Sequence, residues 1–333
     1  MRLCAISVLQ HLDNRPLLPQ PDAMSHIYIY SPSGALRDKA ALRLAEKRLH
    51  NMGHDVELDP DAKTSDQRFA GDDDTRLLAI SRAAASGADI ALISRGGYGL
   101  TRILPELPYK QIAKAINKGT QFVGLSDFTA LQCALLAKTG AVSWAGPAVG
   151  EDFGTEETPD DIMEACFDDL ACGQGEGSGW QLPKSDLPAL AARRKTASEA
   201  TPALKVSDAT LWGGNLTVLT ALAGSPYLPD FSGKILFLED VSEAPYRIDR
   251  MLSTLRLMGA LDQVAGVIFG ECTECDPGNG YGSLTLPQIF DDYFKPLKVP
   301  VYSGALFGHI KRKFTLPLGV AVEVDAIVAV RQP

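Results

Sequence analysis

The sequence predicts an α/β fold: a parallel-sheet amino-terminal domain with helices on both faces, followed by a smaller mixed α+β carboxy-terminal domain. Three observations predict it. Short apolar runs alternate with helical patterns from about residue 26 to residue 146. Composition turns acidic and rich in Gly, Pro and Ser over 151–205, and strand-like runs then share the remainder with one amphipathic helix. With 333 residues, 45% of them apolar and 22% charged, the chain can bury two cores around a shared cleft. The expected division is a disordered extension over 1–23, an α/β domain over 24–150, a connection over 151–205 and a second domain over 206–333.

The elements follow in order. The apolar stretch within Met1 to Leu9 is short, with only Arg2 ahead of it and no small-residue cleavage site after it, so it is not expected to act as a secretion signal. Residues 10–23 are polar and proline-rich, which suits an extension or an upstream start ahead of Met24. His26-Ile-Tyr-Ile-Tyr reads as a strand closed by Ser31-Pro-Ser-Gly. A helix over 37–52 places Leu42, Ala45, Leu49 and Met52 near one face and stops at Gly53. A strand over 54–58, a helix over 72–86 and a strand over 88–94 lead into Arg95-Gly-Gly-Tyr-Gly. A helix over 108–118, a strand over 121–125, a helix from Asp127 to about Lys138 and a strand over 141–144 complete the series. Such alternation means right-handed crossovers between parallel strands. One helical patch, 158–170, interrupts the connection. Beyond it, strands are expected over 235–239, 264–269, 299–303, 320–324 and 327–330. A helix beginning near Pro245 carries Ile248, Met251, Leu252, Leu255 and Met258 on one face.

Charge and cysteine usage narrow the setting. A net charge of −9, without a basic stripe, argues against a nucleic-acid partner, and none is expected. No apolar run is long enough to span a bilayer. The six cysteines are scattered through a chain too large to need disulfide staples, which suits reduced thiols in a cytoplasm. No cofactor or metal is expected. There is no His-Glu-x-x-His, Cys272-Thr-Glu-Cys275 has no second ligand pair, and a dinucleotide fingerprint is missing.

Ser126, in Gly124-Leu-Ser-Asp, stands where a buried strand turns into a helix, at the carboxyl edge where ligands bind in open α/β folds. Helix starts present unpaired N–H donors, so the position suits a nucleophile, although on local sequence alone an ordinary helix cap by Ser126 or Asp127 is the commoner reading. The glycines after Arg95 permit close backbone approach, and their N–H groups suit half of an oxyanion hole or simply a tight turn. Of the five histidines, His309 lies among loop residues after a strand and is the best-placed base, with a solvated loop histidine as the alternative. Glu239, ending the apolar strand Ile235-Leu-Phe-Leu, is the carboxylate to orient it, and Asp240 lies one register step away.

Taken together these segments resemble the serine LD-carboxypeptidases, or muramoyltetrapeptide carboxypeptidases, a family that includes the microcin C self-immunity peptidases. The resemblance runs from His26 to Val330 through Ser31-Pro-Ser-Gly, Arg95-Gly-Gly-Tyr-Gly, Gly124-Leu-Ser-Asp, Gly146-Pro, Gly213-Gly-Asn-Leu, Leu236-Phe-Leu-Glu-Asp, Tyr246-Arg-Ile-Asp-Arg, Gly308-His and Leu316-Pro-Leu-Gly, in that order. It implies a Ser126–His309–Glu239 triad and an oxyanion hole from the N–H of Asp127 and of Gly97, with Gly96 the other candidate. It implies substrate contacts at Arg95, Gly96, Trp144, Asn215 and Arg250, a murein peptide substrate and a homodimer. The expected reaction releases terminal D-alanine from an L-centre of meso-diaminopimelate in cytoplasmic murein recycling; the alternative is cleavage of a peptidyl or aminoacyl nucleotide amide. Where the family often has an aromatic residue followed by His-Gly-Pro, this chain has Trp144-Ala-Gly-Pro, a departure that bears on substrate preference.

Overall fold

The chain begins with a strand, β1 (Arg2–Val8), where an extension was expected. This computed structural model describes residues 2–8, 24–173, 177–181, 205–275 and 284–328. The run Leu3-Cys-Ala-Ile-Ser-Val is β-prone, and strands on both sides take up its backbone N–H and C=O groups, with Ile6 buried. It is therefore an interior strand; residues 9–23 lie outside the described residues.

The first sheet is built from runs too continuously apolar for a one-faced sheet. It contains β2 (His26–Tyr30), β3 (Asp55–Leu58), β4 (Ile90–Ile93), β5 (Gln121–Gly124) and β6 (Ser143–Ala145). These five are parallel neighbours in the order β6-β5-β4-β2-β3. β4 and β5 are buried throughout, so both faces need helices. On one face, the helix Lys39–Asn51 buries Leu42, Ala45 and Leu49, as its spacing predicts. Each buried leucine there is worth about 2 kcal/mol. The helices Asp73–Ala85, Tyr109–Asn117 and Thr129–Thr139 pack elsewhere on the same sheet.

The expected connection over 151–205 is corrected. Its helix, Asp161–Cys172, buries Met163, Phe167, Leu170 and Ala171 in the core with Ile27, Ile29, Leu42 and Leu92, so it belongs to the first α/β layer. Further on, β7 (Gly177–Gln181) pairs with β1, while 182–204 lie outside the described residues.

The second sheet adds β8 (Lys205–Asn215), β9 (Ile235–Val241), β10 (Gly266–Thr273) and β11 (Val301–Tyr302). The chain then places β12 (Leu316–Leu318) antiparallel beside β6 on the edge of the first sheet. β13 (Val320–Val328) follows as one strand where two were expected. The seven-stranded order is β11-β10-β9-β8-β13-β1-β7. Its first four strands are parallel, and the ladders from β8 through β13 and β1 to β7 are antiparallel. The second sheet mixes parallel and antiparallel strands and takes in β1 and β7, and through β12 the second half also completes the first sheet.

Candidate active site

The turn after β5 forces an unusual backbone. Leu125 is extended, Ser126 has φ +65°, and one tight turn then opens into the helix Thr129–Thr139. A non-glycine residue in the left-handed region costs about 1–3 kcal/mol and persists where its surroundings hold it. A capping serine has extended backbone and gives its oxygen to an N–H of the first turn; Ser126 does neither. The hydroxyl is therefore presented at the sheet edge and not consumed by the helix.

The Arg95 loop packs directly on it. A Cβ added to Gly96 would lie 2.7 Å from Ser126 Cβ and 3.0 Å from its Oγ, so only glycine fits. The Gly34 N–H donates to the Gly96 carbonyl at 3.0 Å. Because a trans peptide sets C=O and N–H on opposite sides, the N–H of Gly97 faces away from Gly34. Gly97 has φ +107°, a conformation that favours glycine.

Asp127 is buried, and its carboxylate accepts from the Ser33 hydroxyl and from the Leu100 N–H at 2.9 Å. Burial holds its carboxyl above the ordinary range, against the pull of those hydrogen bonds and of Arg76. The side chain thus ties together Ser33 of the Ser31-Pro-Ser-Gly turn, the helix Leu100–Ile103 and the turn at Ser126. Sequence reading did not foresee this brace, although Ser33 lies within one of the segments it singled out.

On the other wall, Glu239 is 1% exposed and its Oε2 lies 2.8 Å from His309 Nδ1. Gly308, at φ +131°, allows this approach, because a Cβ there would lie 3.3 Å from the same oxygen. Burial alone would lower the His309 pKa. The hydrogen bond and charge of Glu239, joined by the Glu151 carboxylate, outweigh burial and Lys313 and hold it above its ordinary value. Asp240 faces elsewhere: it accepts from the Thr217 N–H and hydroxyl, each at 2.9 Å, and burial pushes its carboxyl up to about 6. Of the two acids, Glu239 is the one that meets His309.

Two routes connect the walls. Thr129, three residues beyond Ser126, accepts from the Asn215 N–H at 3.0 Å, and Asn215 pairs in register with Glu239. On the other route, Arg95 lies 3.7 Å from Glu151, the carboxylate that also acts on His309. No hydrogen bond joins the Ser126 hydroxyl to His309 among the described residues. Such contacts often tighten only when substrate binds.

The expected substrate contacts divide. Arg250 is exposed on the helix Pro245–Leu257, with its guanidinium 5.9 Å from the Tyr246 ring centroid. Arg95 is mostly buried and donates to the Ala35 carbonyl at 3.0 Å, bracing the glycine loop. Two of the expected contacts are buried and bound into the scaffold. Trp144 sits in the core with Phe153 and Phe167, because β6 is covered on the face it occupies. Asn215 is buried, accepts from the Val218 N–H at 3.1 Å as the cap of the helix Leu216–Ala221, and donates to Asp240 at 3.3 Å. Its polar atoms serve the scaffold. Cys272 lies on β10 beside the strand of Glu239, and Cys275, just past that strand, donates its thiol to the Thr273 carbonyl at 3.4 Å; the interaction between the two thiols raises Cys272 and lowers Cys275.

Residues 27–146 match the sequence profile described as the LD-carboxypeptidase N-terminal domain, and residues 208–324 match that of the C-terminal domain. The "Probable murein peptide carboxypeptidase" of Bacillus subtilis is 30% identical over 83% of this chain and 82% of its own length. The microcin C7 self-immunity protein of Escherichia coli is 29% identical over 69% of each chain. Among solved structures, the muramoyltetrapeptide carboxypeptidase from Oxalobacter formigenes is 32% identical and superposes with a TM-score of 0.72, covering 91% of this chain and 98% of that one.

Proposed function

Since the chain belongs to the LD-carboxypeptidase family of hydrolases, we propose that it is a serine carboxypeptidase releasing terminal D-alanine from murein tetrapeptides, at the amide formed by an L-centre of meso-diaminopimelate. The observation that carries this reading is the buried Glu239 carboxylate on His309 Nδ1. With Nδ1 protonated and held by that carboxylate, Nε2 is the nitrogen left to act as a base. In the proposed reaction, Nε2 takes the Ser126 proton as Oγ attacks the scissile carbonyl. The Gly97 and Asp127 N–H groups receive the oxyanion. The tetrahedral adduct collapses, the carbon–nitrogen bond breaks, and D-alanine leaves with the proton that His309 returns to its amine. Water, deprotonated by the same nitrogen, then cleaves the ester and restores Ser126.

Arg250, exposed on the helix that follows the strand bearing Glu239, is our candidate for a substrate carboxylate, whereas Arg95 serves by holding the glycine loop. The free thiols among the described residues suit a reducing cytoplasm, the compartment in which the proposed recycling role would place it. A homodimer rests on the family resemblance alone.

A second reading has a specific observation behind it. The likeness to the microcin C7 self-immunity protein supports cleavage of an aminoacyl nucleotide amide by the same triad. Purified protein offered murein tetrapeptide and, separately, an aminoacyl-sulfamoyl adenosine decides between them. We expect D-alanine release to exceed nucleotide-amide cleavage in kcat/KM by at least about a hundredfold, a specificity step of some 2.7 kcal/mol. The reverse ratio would overturn the murein assignment and leave the triad standing.

A further inference from the structure

The segment after His309 is Lys311-Arg312-Lys313, and each cation meets an acid from the stretch that follows β6. Lys311 pairs with Glu157, and Arg312 with Asp160 at 3.1 Å and Asp161 at 3.2 Å, all of them with exposed partners or heads. Lys313 differs. Its Nζ lies 2.7 Å from Asp152 Oδ1, and both side chains are 3% exposed. Asp152 also accepts from the Ala148 N–H at 2.8 Å, which fixes it in the Val149–Phe153 turn. Beyond Lys313, the Phe314 N–H donates to the Leu306 carbonyl at 2.8 Å, and β12 then joins the sheet that holds Ser126.

We propose that the Asp152–Lys313 pair is a positioning latch, which fixes the His309 loop from the second sheet against the half of the molecule that carries Ser126. The proposal rests on His309 being the general base. A buried ion pair is poor at adding stability but demanding in geometry, since either charge left alone in the interior is costly. It therefore pins two segments in one arrangement. A misplacement of about 1 Å in a reacting group can cost on the order of a hundredfold in rate. The charged groups that act on His309 are Glu239 from β9, Glu151 from the Val149–Phe153 turn, and Lys313 from its own loop. Lys313 lowers the His309 pKa, so its neutralisation by Asp152 is felt at the imidazole as well.

The test compares wild type, Asp152→Asn, Lys313→Met and the double variant. Three quantities are read on each: steady-state D-alanine release, the thermal midpoint, and the His309 imidazole titration by NMR without substrate. Each single variant is expected to lose kcat about tenfold to a hundredfold with little change in KM. The imidazole should titrate higher in Lys313→Met and lower in Asp152→Asn, opposite shifts that general destabilisation does not produce. The double variant leaves no charge buried, so it should regain the thermal midpoint but not kcat; it decides the matter even where a single variant fails to fold. Wild-type kcat in the double variant, or an imidazole that titrates alike in every folded variant, would overturn the latch. Failure of the base assignment shows separately, as retained activity in His309→Ala.

Discussion

The Ser126 corner is held by backbone, whereas the His309 corner is held by charge. Around Ser126 the restraints are a left-handed φ, a glycine whose missing Cβ leaves room for the serine, and a buried carboxylate that gathers three turns. Around His309 they are one carboxylate hydrogen bond and a buried ion pair, on a loop without regular structure. The difference follows from where each residue lies in the chain. Ser126 ends a strand of a sheet covered on both faces, so close packing can fix it. His309 reaches in from the other sheet and needs long, strong, directional contacts. One consequence is that steric changes should injure the first corner, while pH and charge changes should injure the second.

The largest test of that contrast is Glu239→Gln. It is nearly isosteric but removes the charge that orients and raises His309. We expect kcat to fall about 10³- to 10⁴-fold. Because Glu239 raises His309, wild-type kcat/KM should fall as pH drops through a value above 6.5, the ordinary histidine value. In the Gln variant that acid limb should move to lower pH. An unmoved limb would break the charge-held account of this corner.

Gly96→Ala tests the other corner by steric means alone. Its φ is not in the left-handed region, so the added Cβ acts only by crowding Ser126. A loss of about a hundredfold in kcat with an unchanged pH profile is expected. A smaller effect falls to Arg250→Ala, which should raise KM about tenfold with kcat retained, the loss of one charge-assisted contact to a substrate carboxylate. Asp240→Asn sharpens the boundary of the site. It should cost about 1–3 kcal/mol of stability through its Thr217 contacts, read as a lower denaturant midpoint, while turnover per folded molecule is kept.

The parts that were legible in the sequence share a cause. Strands β2, β4 and β5 read clearly because burial on both faces leaves continuous apolar runs. β8 did not, since Lys205-Val-Ser-Asp-Ala mixes exposed and buried positions without clean alternation. β12 contains Pro317, which argues against a central strand but is tolerated at the edge it occupies. β1 looked like a tail because its ladder partners lie at the far end of the chain and in a glycine-rich stretch. In the site, His309 drew attention as the best-placed of five histidines and Glu239 as a carboxylate on a strand tip, whereas Ser126 read locally as a helix cap and was singled out through the family resemblance. Asp152 and Lys313 did not draw attention, as each lies in a run of like charge that reads as solvated surface. The complementary signal was present, a basic run facing an acidic one, but only the fold shows that one pair of the set is buried. Trp144 was ambiguous for the opposite reason: an aromatic near a strand end suits a groove as well as a core, and its ring packs in the core.

Everything turns on Ser126 as the attacking group. The direct measurement is D-alanine release from murein tetrapeptide by wild type and Ser126→Ala side by side, in the presence of excess chelator. Ser126→Ala is expected to lose at least about 10³-fold in kcat while its thermal midpoint stays within a few degrees of wild type. A folded Ser126→Ala protein that releases D-alanine within tenfold of the wild-type rate would contradict the serine mechanism.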